Sequence, residues 1–243
     1  MPRLFLSGFA CLLLPLTALA AKAPPPSSYG PGQLPAAPAA NAKAAPPAKA
    51  PTAAPAKPSG PPKIEFVDPT SPAVSALKRH GEAGAGVVSK RLLDALNAAL
   101  AKGGPESAVA FCQTQAPALT AEKLPNRSPV TAVKRTSLRL RNPANAPDDP
   151  ERAALDRVAT ALAKGEPPPP VLIQRILASD TAKPEWRVYK PIVIQAACLV
   201  CHGDPAAQPP GLRAALQQHY PADAATGYAA GDWRGLLRLT VTP

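Results

Sequence analysis

Aromatic residues are scarce in this sequence, since Phe, Trp and Tyr together make up 4% of the chain. The formal net charge of +11 would by itself suggest a nucleic-acid partner, because lysine and arginine neutralise phosphates. Proteins that bind single-stranded nucleic acid, however, also use aromatic side chains on which the bases stack. The sequence offers no such platform, and we therefore expect no nucleic-acid partner.

Long hydrophobic runs are also missing, apart from one near the N-terminus. That run extends from Leu4 to Leu19, follows the basic Arg3 and is interrupted by Pro15. It is short for a membrane helix, which needs about 20 apolar residues. The last residues of the run, Ala18-Leu19-Ala20, match the A-x-A cleavage pattern of secreted proteins. We predict a signal peptide over residues 1–20 and a mature protein without a membrane span; an uncleaved anchor is the alternative.

Residues 21–62 lack the apolar residues from which a core is built. They consist mainly of Ala, Pro, Lys, Gly and Ser, and their charges are Lys22, Lys43, Lys49 and Lys57. Such a segment cannot bury enough apolar surface to offset the entropy of ordering. Its prolines favour an extended conformation. We predict a disordered, solubilising tether, with binding of the lysines to a polyanionic surface as the alternative.

The rest of the chain, residues 63–243, is predicted to form one α+β domain. A helix should end at Gly103-Gly104, a second begins at Pro105, and "DDPERAAL" begins a third with Asp148 or Asp149 as its cap. Strands are predicted in "SPVTAVKRTSLRLRNP", "WRVYKPIVIQ" and "GDWRGLLRLTV". Helices come first and strands mainly later, which favours the α+β class.

Cysteine and histidine are rare, yet three of them stand together. Cys198-Leu199-Val200-Cys201-His202 is a C-x-x-C-H motif, the attachment signature of c-type heme. Each thiol adds to a heme vinyl group, and the adjacent histidine is aimed at the iron. This attachment takes place outside the bacterial cytoplasm, in agreement with the signal peptide. The motif predicts one covalent heme c in a periplasmic protein, with thioethers at Cys198 and Cys201 and with His202 as an axial ligand.

A C-x-x-C pair has three other common uses in proteins. A structural zinc site needs four ligands, and the sequence has no second cysteine pair or histidine pair. A thioredoxin-like dithiol stands at a helix N-terminus in a βαβ unit, which the sequence does not predict. A structural disulfide between Cys198 and Cys201 is the third alternative.

Methionine is the scarcest residue of all, because Met1 is the only one and leaves with the signal peptide. The His/Met ligation of electron-carrier cytochromes c is therefore excluded. Candidates for the second axial position are Cys112, His80, His219, a lysine, water or no ligand. Once heme takes two cysteines and cleavage removes Cys11, Cys112 is an unpaired thiol in an oxidising compartment. Its alternative role is that of a small buried apolar residue.

Four segments resemble a family of extracytoplasmic heme c proteins with a PAS-like fold. They are "AVAFCQTQAPAL", "VKRTSLRLRNPANAPDDPERAAL", "YKPIVIQAACLVCHGDP" and "YPADAATGYAAGDWRGLLRLTV". The family includes stand-alone proteins proposed as redox sensors and sensor domains of histidine kinases and chemoreceptors. The resemblance implies an antiparallel sheet with helices packed around it, His202 as one axial ligand and Cys112 as the other. Unlike the receptor members, the sequence shows no transmitter domain, so the downstream step stays open.

Charged residues within these segments have structural and functional interpretations. We predict one strand face that carries three arginines, which would pair with heme propionates or face solvent: Arg135, Arg139 and Arg141. Asp223, Asp232 and Arg234 are expected to fix turns and a salt bridge.

The sequence leads to one functional hypothesis with two alternatives. The hypothesis is a periplasmic heme c protein that senses redox state or a small ligand and acts on a redox or signalling partner. The first alternative is an electron-transfer cytochrome c. The second is a heme peroxidase, which needs an open iron site with a distal acid–base group. Ligation by Cys112 would fill that position, and we expect no enzymatic activity.

Overall fold

A computed structural model of the protein describes residues 61–125, 128–179 and 182–243. The predicted signal peptide and the tether up to residue 60 lie outside the described residues. All described residues belong to one compact unit, Pro55–Pro243. No helix in these ranges is long and apolar enough to cross a membrane.

Five strands and five α-helices lie within the described ranges. The strands are β1 (Lys63–Val67), β2 (Val130–Thr136), β3 (Leu172–Leu177), β4 (Glu185–Val193) and β5 (Trp233–Val241). The helices are α1 (Ser75–Thr114), α2 (Ala116–Ala121), α3 (Asp149–Ala163), α4 (Leu199–His202) and α5 (Pro210–His219). The predicted helix end at Gly103-Gly104 is a break inside α1, where both glycines leave the helical conformation.

The five strands form one antiparallel sheet in the order β1-β3-β4-β5-β2. An antiparallel sheet flanked by helices confirms the α+β prediction and is consistent with a PAS-like fold. Strands β1 and β3 were not predicted from the sequence. Their residues, KIEFV and LIQRIL, are rich in apolar and β-branched side chains, but short runs of this kind do not reveal their pairing partners.

The two faces of the sheet are covered by different helices. Neighbouring residues of a strand point to opposite faces, as Val188 and Tyr189 of β4 do. Val188 belongs to a buried cluster with the first half of α1, whereas Tyr189 belongs to a second cluster with α3. Helix α1 lies so close to β4 that a Cβ atom at Gly81 would sit 2.5 Å from Cγ1 of Val188. Glycine at this position therefore sets the distance between α1 and the sheet.

Helix α3 is fastened to the sheet by its first turn. Asp148 and Glu151 form the predicted capping box, in which each side chain accepts the backbone N–H of the other, at 2.8 and 3.0 Å. The Glu151 carboxylate is fully buried and binds Lys134 of β2 at 2.7 Å and Arg238 of β5 at 3.1 Å. A buried carboxylate needs such partners, so α3 has one defined position on its face of the sheet.

Replacement of Asp148 with alanine is expected to destabilise the domain by about 1–2 kcal/mol, because the first turn of α3 loses its cap. Asp148→Asn keeps an acceptor for the N–H of Glu151 and should cost less. Urea unfolding measures both changes. Asp149→Ala, one residue further along, is the matched control, since Asp149 lies in the first turn without being the cap. Equal losses in Asp148→Ala and Asp149→Ala would contradict the role of the cap.

The same cap predicts a dependence of stability on pH. Partial burial raises the pKa of Asp148, but the backbone N–H of Glu151 and the guanidinium of Arg187 outweigh it and hold this pKa below its usual value. Because the pKa of Asp148 is lower in the folded state than in the unfolded state, its contribution to the free energy of unfolding is complete above the unfolded pKa. That contribution is lost as the pH falls through the folded pKa. Asp148→Asn should therefore reduce the loss of stability below about pH 4.

Candidate functional site

The C-x-x-C-H segment lies just beyond the C-terminal end of β4. Ile194 is buried, and a short 3-10 turn at Ala196–Cys198 leads into α4. The single turn of α4 places Cys198 and Cys201 three residues apart on the same side of the chain. His202 is the last residue of this turn. The motif thus occupies a tight, locally helical segment that presents both thiols and the imidazole from one short stretch of backbone.

The imidazole of His202 is held by one backbone carbonyl. Its Nδ1 lies 2.7 Å from the carbonyl oxygen of Ala225. A carbonyl can only accept, so Nδ1 carries the proton and the lone pair stands on Nε2. Burial and, after it, the positive charge of Arg141 lower the pKa of His202 to about 3, against the effect of the Ala225 carbonyl. The ring is therefore neutral at physiological pH, with Nε2 able to bind a metal ion.

The loop 223–228 fixes the backbone of the motif as well as the imidazole. The N–H of Gly227 donates to the carbonyl of Gly203 at 2.7 Å, and the N–H of Tyr228 donates to the carbonyl of His202 at 3.0 Å. The Tyr228 ring also meets the imidazole edge-on, with ring centroids 6.3 Å apart. Two backbone bonds and one side-chain bond therefore hold α4 against this loop.

The two thiols of the motif lie in different apolar surroundings. Cys198 packs against Ile194, Ala225 and Tyr228, on the side of the loop 223–228. Cys201 packs against a second cluster, which is built from the end of α1, from α5 and from the residue after α5: Val109, Leu212, Leu216 and Tyr220. Burial raises the pKa of Cys201. All three cysteines in the described ranges, the third being Cys112, have free thiols.

Cys112 lies near the end of α1, one turn after Val109, and the fold brings it to the motif. Cys201 packs against Val109, one turn before Cys112 in the same helix, and a charge on Cys112 would raise the pKa of Cys201. Burial raises the pKa of the Cys112 thiol, while the positive charges of Arg135 and Arg141 oppose that rise. The structure therefore brings the end of α1, with its partly buried thiol, to the region of the attachment motif.

The two other histidines are placed differently. His80 is exposed on the first turns of α1, as expected from its charged sequence neighbours. His219 ends α5, and its Nδ1 lies 2.5 Å from Oε1 of Gln113. The Nε2 group of Gln113 in turn donates to the backbone carbonyl of His219 at 3.0 Å. His219 thus joins α5 to the residue that follows Cys112, and one of its ring nitrogens is engaged there.

The predicted strand face with three arginines is not formed, because β2 ends at Thr136. The backbone N–H of Arg139 donates to the hydroxyl of Ser137 at 3.1 Å, instead of to β5. A serine hydroxyl that takes over a backbone N–H in this way ends a strand ladder. Arg139 and Arg141 therefore lie in the loop after β2, and only Arg135 lies on the strand.

The loop arginines bind backbone carbonyls around His202. Arg139 donates to the carbonyls of Ala224, at 3.0 Å, and Thr226. Arg141 donates to the carbonyl of Cys201 at 2.5 Å, to that of Ala225 at 3.3 Å and to the carboxylate of Asp223 at 2.9 Å. Asp223 thus forms a salt bridge with Arg141, and Asp232 stabilises a turn by accepting the N–H of Ala229.

Arg135 differs from these two arginines. It lies opposite Leu237 of β5, on the face of the sheet that α1 covers, and the charge of Cys112 acts on its guanidinium. Burial lowers the pKa of Arg135. Within the described ranges its guanidinium makes neither a hydrogen bond nor an ion pair. A half-buried cation without a counter-ion is costly, so Arg135 is available to an anionic group.

Sequence reasoning missed the carbonyl of Ala225 and the arrangement around Ser137 and Gly235. A backbone acceptor leaves no trace in residue type, so no pattern could have revealed Ala225. Gly235 has a φ of +153°, and a Cβ atom there would lie 2.4 Å from the carbonyl oxygen of Thr136. This close approach lets the guanidinium of Arg234 reach the Ser137 hydroxyl at 2.6 Å. Gly235, the glycine in "DWRG", was the one sign of this close approach that the sequence contains.

The donor set fits covalent attachment of heme c. Two free thiols stand three residues apart on one helical turn. The neighbouring imidazole carries its proton on Nδ1, which faces the carbonyl of Ala225. No group of three or more Cys, His, Asp or Glu side chains converges on a single point in the described ranges.

The neutral state of His202 leads to a test on protein prepared without heme. A folded pKa of about 3, below the usual value of about 6.5, means that only the unfolded state gains a proton between these pH values. Stability should therefore fall as the pH drops from 6.5 towards 3. His202→Asn should flatten this part of a curve of unfolding free energy against pH. An equal slope in both proteins would contradict the assignment of a buried, neutral imidazole.

Comparison with known proteins gives two matches. A protein-family model described as Tll0287-like matches residues 67–242, which is nearly the whole compact unit. Among solved structures, the chain is similar to the crystal structure of the cyanobacterial heme-protein Tll0287, with 22% sequence identity and a TM-score of 0.40. That match covers 70% of this chain and 91% of the other. No curated protein matches the chain.

Proposed function

Because the chain belongs to the Tll0287-like family, we propose that it binds one heme c covalently and senses redox state or a small ligand in the periplasm. Cys198 and Cys201 form the thioethers, His202 is one axial ligand and Cys112 is the other. The predicted signal peptide supports export, and the C-x-x-C-H motif supports the covalent link. A redox or signalling protein is the expected partner.

One observation carries the proposal: the hydrogen bond of 2.7 Å between Nδ1 of His202 and the carbonyl of Ala225. It fixes the tautomer in which Nε2 is the metal-binding nitrogen, and it fixes the plane of the ring. Here one nitrogen is held by a rigid loop, and the other is left for an external partner.

Cys112 is the best-placed second ligand among the alternatives. It is the cysteine outside the motif within the described ranges, it is partly buried one turn after Val109, which packs against Cys201, and Arg135 and Arg141 oppose the rise of its pKa that burial causes. His80 is exposed, and the hydrogen bonds of His219 in the described ranges join it to Gln113 of α1 and not to the motif. Ligation also explains how an unpaired thiol persists in an oxidising compartment, since a bound thiolate is shielded from disulfide partners.

Arg135 is the arginine that we assign to a heme propionate. Its guanidinium has no partner in the described ranges and lies on the sheet face that Cys112 approaches. Arginine binds carboxylates with two parallel hydrogen bonds, which would also orient the macrocycle. Arg139 and Arg141 were predicted for the same task, but their guanidinium groups already hold the carbonyls around His202. Arg139 holds the loop 223–228 instead, and Arg141 holds this loop and the motif.

The placement of the two axial ligands on different elements favours sensing over electron transfer. Heme, when bound, supplies an iron that changes its charge by one electron and accepts axial ligands. Cys112 lies on α1, which packs on the sheet, whereas His202 lies on α4 and is held by the loop 223–228. Release of Cys112 would uncouple α1 from α4, a discrete change that a partner could detect. An electron carrier would keep both ligands in both states.

Covalent attachment is tested by extraction with acidified acetone. The colour of the native protein should stay with the polypeptide, because thioether bonds resist acid. A double variant with Cys198→Ala and Cys201→Ala should lose the colour to the solvent or never acquire it. Cys112→Ala is the control, since it leaves both attachment sites intact and should keep the colour. Loss of colour from the native protein would refute the proposal.

Replacement of Cys112 should change the ferric EPR spectrum. Cys112→Ala and Cys112→Ser are both expected to convert a low-spin thiolate spectrum to a high-spin or His/X type, because neither side chain offers a thiolate. His80→Asn and His219→Asn serve as controls and should leave the spectrum unchanged. In the ferrous state a sensor should bind CO as Cys112 leaves, whereas an electron carrier should exclude CO. Unchanged ferric spectra in both Cys112 variants would reject this ligand.

A further inference from the structure

Two groups share the carbonyl oxygen of Ala225. Nδ1 of His202 lies 2.7 Å from it, and Nη2 of Arg141 lies 3.3 Å from it. The same Nη2 atom also donates to the carbonyl of Cys201 at 2.5 Å. Arg141 therefore contacts the backbone of the attachment motif and, through one shared acceptor, the axial histidine.

Arg141 is held rigidly in this position. Its Nε donates to Oδ2 of Asp223 at 2.9 Å, and the side chains of both residues are only 11% exposed. Asp223 also accepts the backbone N–H of Ala225 through Oδ1 at 2.8 Å. The carboxylate thus fixes both the guanidinium and the peptide unit whose carbonyl the guanidinium shares with His202.

The arrangement has a definite effect on the histidine. An imidazole whose Nδ1–H donates to a strong acceptor gains negative character and gives more electron density to a metal on Nε2. A carbonyl that also accepts from a guanidinium has less electron density for the imidazole proton, and it is a weaker acceptor. The positive charge of Arg141 acts in the same direction, because it favours the less positive iron of the reduced state.

We propose that Arg141 is a positioning residue that weakens the hydrogen bond from His202 to Ala225 and thereby raises the reduction potential of the iron. The proposal rests on the proposed function, since it needs heme c with His202 as a ligand. It adds a role for a residue that lies outside the attachment motif. Arg141 would offset part of the low potential that a thiolate ligand imposes.

Arg139 is the matched control for Arg141. It carries the same charge, comes from the same loop and binds the carbonyls on either side of Ala225, those of Ala224 and Thr226. It makes no hydrogen bond to the Ala225 carbonyl itself within the described ranges. A merely structural role of the two arginines would therefore give similar results in both variants, whereas the proposed role separates them.

The experiment compares holoprotein variants by redox titration and by the Fe–His stretching frequency of the ferrous state in resonance Raman spectra. Arg141→Gln should shift the equilibrium between Fe(III) and Fe(II) towards Fe(III) by about tenfold, or about 59 mV for one electron. Its Fe–His stretch should rise in frequency. Arg141→Lys keeps the charge without the planar fork, so its potential should fall less. Arg139→Gln should leave the Fe–His stretch unchanged.

A second variant keeps the test decisive if Arg141→Gln does not fold. Asp223→Asn keeps an acceptor for the N–H of Ala225 and frees the charge of Arg141 from its counter-ion, so the potential should rise. Equal potentials and equal Fe–His frequencies in Arg141→Gln and Arg139→Gln, or a lower potential in Asp223→Asn, would overturn the proposal. Failure of the proposed function is distinct, because then the heme of the native protein would leave with acidified acetone before any potential is measured.

Discussion

The whole site depends on one hydrogen bond, from Nδ1–H of His202 to the carbonyl of Ala225. A short helical turn with two thiols would by itself be free to rotate about the end of β4. The bond to Ala225, together with the backbone bonds from Gly227 and Tyr228, gives this turn one orientation. The loop that supplies these groups is held in turn by arginines from the segment after β2. The position of the imidazole therefore follows from a chain of polar contacts that ends in the sheet.

Helix α1 connects the core of the fold to the site. Its first half packs on the sheet, where Gly81 allows a close approach to Val188, and its last turns carry Cys112 to the attachment motif. The break at Gly103-Gly104 separates these two parts. The packed half fixes the helix by burial of apolar surface, while the part after the break is held by contacts with α2 and α5. The last turns of α1 are themselves packed through three buried residues, Ala108, Val109 and Phe111.

The arginines around the motif have different contacts and different roles. Arg139 and Arg141 satisfy backbone carbonyls in the loop and the motif, as buried carbonyls require, and Asp223 compensates part of that charge. Arg135 has no such partner in the described ranges and is suited to a carboxylate from outside the protein. Burial is the main cause of the low pKa of His202, and the charge of Arg141 adds to it; burial also raises the pKa of the Cys112 thiol, against the charges of Arg135 and Arg141.

The sequence by itself determined the α+β class, three of the five strands, the break at Gly103-Gly104 and the capping box of α3, because each follows from local periodicity or turn chemistry. It also predicted the attachment chemistry, since spacing within five residues needs no fold. Strands β1 and β3 escaped prediction because pairing between distant strands leaves no local pattern. Only the tertiary structure decided that β2 ends before Arg139, that Cys112 reaches the motif, and that the carbonyl of Ala225 holds His202. These features arise from backbone groups and long-range packing, which residue types alone do not encode.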